Sequence, residues 1–188
     1  MILVVDMNYR EDSLCHEEFV LPVVAIVKPN DSLKIMHYDR VKSASLEEYS
    51  GIILCGTALK DNRFSEHISE FKWLEECETP VLGICAGMQA IGLAFGSKLA
   101  PCTEIGMIEV ETTIENSLFT RRFSAYALHN NAIKKPEHFE VLAKSDKCIQ
   151  AIKHHEKEIY GVLFHPEVRN HQVIERFISE TRKNQPQQ

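Results

Sequence analysis

Pro80-Val81-Leu82-Gly83-Ile84-Cys85-Ala86-Gly87-Met88-Gln89 is the stretch that decides the fold. An apolar run of strand length leads into Gly83. After Cys85, Gly87 opens a run of good helix formers from Met88 to Phe95, and Gly96 stands just beyond it, where a helix C-cap is expected. The order is strand, tight turn, helix, with Cys85 at the apex and a glycine two residues to either side. That is the G-x-S-x-G nucleophile elbow with sulfur in place of oxygen. So sharp a turn leaves no room for Cβ atoms near the nucleophile, hence the glycines. The pattern predicts Cys85 at the carboxyl end of a strand, where α/β sheets place their sites. It also sets the sulfur near a helix N-terminus, whose free N–H groups favour an anion. The bland alternative is a buried structural cysteine in a strand-to-helix turn, and the paired glycines weigh against it.

Outward from the elbow, 188 residues suffice for one domain with a sizeable core. Residues 1–183 read as that domain and 184–188 as a polar, frayed tail. The apolar fraction of 44% and charged fraction of 26% are those of a soluble globular chain. A net charge of −6 does not suggest a nucleic-acid partner. No apolar run reaches membrane-spanning length, and the N-terminus lacks the basic region of a signal peptide, so a cytoplasmic location is expected. The six cysteines are scattered without C-x-x-C pairs and read as free thiols in a reducing compartment. The histidines show no zinc-like spacing, so no metal is expected.

Upstream, Ile2–Val5 and Gly51–Gly56 are continuous apolar runs that fit strands buried on both faces of a parallel sheet. Leu33–Tyr38 alternates and reads as a further strand. Leu14–Val27 is either a helix carrying Pro22 or a helix that stops before it and a strand at Val23–Val27. Ser45-Leu46-Glu47-Glu48 looks like a helix start, and Arg63–Glu76 carries apolar residues at helical spacing. Asn8–Ser13 reads as polar loop. The strand–helix alternation up to Gly96 indicates an α/β fold with a parallel central sheet. Beyond it, Met107–Thr113, Phe123–Leu128, Glu140–Ala143, Cys148–Ile152 and Ile159–Phe164 are closely spaced strand candidates, which favours antiparallel neighbours. Gln172–Lys183 is an amphipathic helix.

A thiol nucleophile needs a base and an orienting group. Tyr160-Gly161-Val162-Leu163-Phe164-His165-Pro166-Glu167 supplies candidates, because His165 follows an apolar strand. If that strand lies parallel to the one leading into Cys85, the imidazole and the sulfur share one edge of the sheet. Pro166 holds His165 extended, and in an extended segment Glu167 points to the same side. One ring nitrogen would then meet the carboxylate and the other the sulfur, the logic of a Cys-His-Glu triad. Oxyanion donors would come from the N–H of Ala86 and from the turn Cys55-Gly56-Thr57-Ala58. For Gly56 a simple strand-ending glycine is an equal alternative.

Gly83–Gln89 together with Phe164-His165-Pro166-Glu167-Val168 resembles the class I, or triad, glutamine amidotransferases, and the similarity runs nearly end to end. Tyr126-Ala127-Leu128-His129-Asn130-Asn131 falls where that family has a segment touching the glutamine. Phe139–Ala143, Gln150–Ile152 and Ile159–Val162 are similar to the free-standing amidotransferase subunits of archaeal GMP synthases. The resemblance implies a flavodoxin-like fold, with a central, mostly parallel sheet flanked by helices and a small antiparallel part. It implies that Cys85 attacks the amide of L-glutamine, with His165 as base and acid, Glu167 orienting it, and Ala86 with Gly56 or Thr57 holding the oxyanion. Gln89, Asn130 and Asn131 would contact substrate. Ammonia would pass to an ATP-dependent synthetase, for which the ATP-pyrophosphatase subunit of GMP synthase is the leading expectation. This chain would need no cofactor, ATP and magnesium sitting on the partner. Two departures stand out: Gly56-Thr57-Ala58 replaces a Gly-Gly-Pro or Gly-Pro-Gly turn, and Asn131 replaces an acid. The same fold also admits a γ-glutamyl hydrolase or a catalytically silent regulator.

Overall fold

The computed structural model describes residues 1–11 and 13–183. The tail expected at 184–188 lies outside the described residues. The elements run β1 (Ile2–Asp6), α1 (Leu21–Val27), β2 (Leu33–His37), α2 (Tyr38–Val41), β3 (Gly51–Leu54), α3 (Arg63–Glu66), α4 (Trp73–Glu76), β4 (Val81–Ile84), α5 (Ala86–Ala94), β5 (Lys98–Thr112), β6 (Arg122–Lys135), β7 (Phe139–Lys144), β8 (Ile149–His154), β9 (Ile159–Val162) and α6 (Gln172–Lys183). Among the described residues the nine strands join one sheet in the order β2-β1-β3-β4-β9-β8-β7-β5-β6. From β2 to β9 the neighbours are parallel, and from β9 to β6 they are antiparallel.

The apolar runs of β1, β3, β4 and β9 are buried at every residue because helices cover both faces. The period of two sorts their side chains. Ile2, Val4, Ile53 and Leu82 meet Val23 and Val27 of α1 and Val173 and Phe177 of α6. Leu3, Val5, Ile52 and Leu54 meet Phe71, Leu74, Met88 and Ile91 on the opposite face. Phe177 is 1% exposed and is the largest apolar side chain that α6 contributes. Phe177→Ala is expected to cost about 3–5 kcal/mol, read as a lower urea midpoint with an unchanged slope.

Several local expectations need correction. Of the two alternatives for Leu14–Val27, the strand at Val23–Val27 does not form and the helix carrying Pro22 does: a π-helical turn, His16–Val20, runs straight into α1. Pro22 sits in the first turn of α1, directly after the π-helical turn, where the hydrogen-bond pattern changes and its missing N–H is accommodated. Ser45–Glu48 is a turn, not a helix start. Too few residues remain before Ser50 donates to the Met1 carbonyl, at 2.9 Å, and the chain enters β3. Arg63–Glu76 is broken into α3, a 3-10 turn at Ile68–Phe71, and α4, with His67 at φ −119°, ψ 41° marking the first break. The antiparallel part is not small. Met107–Thr113 covers only the carboxyl-terminal end of β5, and Phe123–Leu128 only the first half of β6, strands of 15 and 14 residues. Pro101 is tolerated in β5 because the register shifts between Pro101 and Glu104.

Candidate active site

Cys85 stands at the end of β4 with φ 49° and ψ −100°, and α5 begins at the next residue. Such a backbone costs a non-glycine residue on the order of 1–3 kcal/mol. It is held there by neighbours. The Cys85 N–H donates to the Val162 carbonyl of β9 at 2.8 Å, and its carbonyl accepts from the Gln89 N–H at 3.0 Å. The flanking glycines answer to contact. A Cβ on Gly83 would lie 2.5 Å from the Gly87 carbonyl carbon, and one on Gly87 would lie 2.4 Å from the Leu54 carbonyl oxygen. Helix α5 can therefore press on β3 and β4 only with glycine at both positions.

His165 arrives from the neighbouring strand. β4 and β9 run parallel with Ile84 opposite Val162, so both chains leave the sheet at one edge. The His165 N–H donates to the Tyr126 carbonyl of β6 at 2.8 Å. Its Nδ1 lies 2.6 Å from Glu167 Oε1, with the histidine 1% and the glutamate 5% exposed. The route to this pairing differs from the extended segment expected. Residues 166–168 form a turn, in which the Val168 and Arg169 N–H groups donate to the His165 carbonyl at 3.2 and 3.3 Å. The turn brings the carboxylate back under the ring.

The other ring nitrogen, Nε2, is buried and meets no group in hydrogen-bond geometry among the described residues. Burial pulls the proton affinity of His165 down, but the Glu167 carboxylate and the Cys85 sulfur outweigh it, and the net shift is well upward. The thiol itself donates to the Leu128 carbonyl at 3.6 Å. Loose geometry of this kind is common in a nucleophile–base pair without substrate. A cysteine and an imidazole backed by a carboxylate are the groups that acyl transfer needs.

Cys85, Ala86, Gln89, Thr57, Asn130 and Asn131 line one cleft. Its volume is about 20 Å³, room for roughly one water. Across it, Asn130 Nδ2 reaches the Leu59 carbonyl at 3.5 Å. The Gln89 side chain is engaged already, donating to the Asn131 carbonyl at 2.9 Å. Gly56 lies against the His165 ring, where a Cβ would come within 2.9 Å of Cε1. Among the described residues the N–H groups of Gly56, Thr57 and Ala86 find no acceptor.

The sequence reading missed the residues that hold these. Thr57 Oγ1 lies 2.8 Å from both Asn8 Oδ1 and Asp61 Oδ2. Asn8 in turn donates to Asp6 Oδ1 through its N–H at 2.9 Å and its amide at 2.7 Å. Phe19 packs on the His165 ring at a centroid distance of 5.8 Å. The only signal for this brace was Asp6 ending a buried strand and Asn8 two residues on, where a plain loop was read.

A model of the family described as "Glutamine amidotransferase class-I" matches residues 11–181. The chain is 39% identical over 117 residues to a subunit of the glutamine-hydrolyzing GMP synthase of Methanothermobacter thermautotrophicus, covering 56% of this chain and 63% of that one. It is 49% identical over 96 residues to the subunit of the same name from Methanocaldococcus jannaschii, covering 47% and 51%. The matched stretch thus spans about half to under two thirds of these relatives' length. A crystal structure of a candidate GMP synthase subunit from Thermoplasma acidophilum superposes with a TM-score of 0.81 at 25% identity, covering 97% of this chain and 94% of that one.

Proposed function

Because the chain belongs to the class-I glutamine amidotransferase family, we propose that it hydrolyses L-glutamine to glutamate and ammonia and hands the ammonia to an ATP-dependent synthetase. The partner proposed is the ATP-pyrophosphatase subunit of GMP synthase, after the names of the relatives. Cys85 attacks the side-chain amide carbon, and the N–H groups of Ala86 and of Gly56 or Thr57 receive the negative oxygen. His165 delivers its proton to the departing nitrogen, so the carbon–nitrogen bond breaks as the thioester remains. Water, deprotonated by the same ring, then attacks the thioester, glutamate leaves, and the proton returns to His165 or to the sulfur. ATP and magnesium act on the partner, and this chain supplies no cofactor. The setting is cytoplasmic. Among the described residues no helix is long and apolar enough to cross a membrane.

The observation that carries this reading is the buried His165–Glu167 pair at 2.6 Å, following the strand parallel to the one that ends at a cysteine held at φ 49°. The narrow cleft favours a partner-dependent enzyme over a hydrolase of free γ-glutamyl substrates, which needs an open site. The N–H groups of Gly56 and Thr57 sit on a turn braced by Asn8 and Asp61, which a docking synthetase can shift. Glutamate release by the purified chain is therefore expected to be slow alone and to rise about tenfold or more when the synthetase is added, an activation of about 1.4 kcal/mol. Rapid turnover of γ-glutamyl dipeptides by the isolated chain would instead favour the hydrolase.

A further inference from the structure

We propose that Cys102, Glu104 and Cys148 form a binding site for a thiophilic divalent cation of the zinc type. Cys102 and Glu104 come from the bulged part of β5, and Cys148 from the turn before β8. One ligand atom from each lies within 4.8 Å of the other two. Cys148 Sγ is 3.2 Å from Glu104 Oε2. Tetrahedral zinc, with bonds of about 2.0–2.3 Å, sets its ligands roughly 3.3–3.8 Å apart. The Cys148–Glu104 pair already stands near that spacing, and the other two pairs need to close by at most about 1–1.5 Å.

The carboxylate supplies the independent argument. Glu104 is 5% exposed. Among the described residues no lysine or arginine pairs with it, and Lys147, from the turn that carries Cys148, donates to the Thr103 carbonyl instead, at 3.2 Å. Its Oε2 faces Gln150 Nε2 at 2.7 Å, Ser145 Oγ at 3.1 Å and His129 Nε2 at 3.3 Å. The His129 ring is buried, and its Nε2 is outside hydrogen-bond geometry with any group described. Gln150 Oε1, on the same cluster, is also buried without a partner. Buried carboxylates are paired with a cation or coordinate a metal. Two sulfurs select zinc over magnesium or calcium. Three protein ligands leave one tetrahedral position, and His129 Nε2 is the adjacent donor able to fill it. Binding releases the thiol protons and ties β5 to the turn before β8. His129 Nδ1 is already bonded to the Cys102 carbonyl at 3.0 Å, so the ion would stiffen the strand that carries Asn130 and Asn131 into the cleft. Cysteines this far apart along the chain have no zinc-like spacing, which is why the sequence predicts no metal. The proposal does not depend on the glutaminase reading.

The test uses cobalt(II) as a probe, added to the reduced, chelator-treated full chain carrying Cys85→Ala, so that the elbow sulfur cannot contribute. One equivalent should bind with thiolate-to-cobalt charge-transfer absorption, and zinc should displace it. The band should vanish when Cys102→Ser and Cys148→Ser are added. No band at one equivalent, or a band undiminished in that variant, overturns the proposal. Far-UV circular dichroism reports whether the variant is folded. Should it be unfolded, Glu104→Gln takes its place and should weaken cobalt binding about tenfold or more, with unchanged affinity overturning the site.

Discussion

Replacing Cys85 with alanine is expected to lower glutamate release by about 10⁴-fold or more, the scale on which loss of a nucleophile acts. The fold should survive. Among the described residues the sulfur's one hydrogen bond is to the Leu128 carbonyl at 3.6 Å, and little packing is lost with one atom. The strain stays, because alanine tolerates φ 49° no better than cysteine does. Cys85→Gly separates the two effects. It should be as inactive as Cys85→Ala but more stable, since glycine adopts this backbone without penalty. The measurements are glutamate release with the synthetase present and thermal unfolding of the three proteins. Retained activity in Cys85→Ala would refute the proposed nucleophile. Equal stability of the alanine and glycine variants would show that the elbow stores no strain.

The elbow was legible in the sequence because its demands are local. Gly83 and Gly87 are required by contacts within a few residues of Cys85 and by the neighbouring strand, so their spacing announces the turn. The buried parallel strands were legible for a similar reason: a strand covered on both faces has no polar side to show. His165 and Glu167 were found as residues, but the pairing was derived from an extended segment, whereas a turn makes it. Tertiary anchoring decides there, since the His165 N–H is taken by Tyr126 of β6, from a distant part of the chain. The same cause hides the rest. The Thr57–Asn8–Asp61 brace joins the loop after β3 to the loop after β1, far away in the chain. The helix expected at Ser45–Glu48 had its capping residues, but no room was left for it before β3. The reach of β5 and β6 is set by their pairing with each other, which carries both strands past their alternating stretches and through Pro101.

Glu167→Gln keeps a neutral acceptor beside His165 but removes the charge that most raises the ring's affinity for protons. In the native chain burial works against the imidazolium, and Glu167 and then Cys85 overcome it. Without the carboxylate, burial gains on what remains, and the value falls from its raised position. If the ring must be protonated to expel ammonia, the alkaline limb of kcat/KM reports its loss, and in the variant that limb should move to lower pH. The rate itself should fall about 10²- to 10⁴-fold. Stability carries the same sign. A histidine raised above its ordinary value near 6.5 contributes stability that is fully present below that pH. The contribution is lost as pH rises through the higher, folded-state value. The native chain should therefore exceed Glu167→Gln in denaturant midpoint most clearly near pH 6, and the gap should narrow as the medium becomes alkaline. A general structural role for Glu167 would lower activity and stability at every pH alike, so an alkaline limb that stays in place would show that the carboxylate does not act through His165.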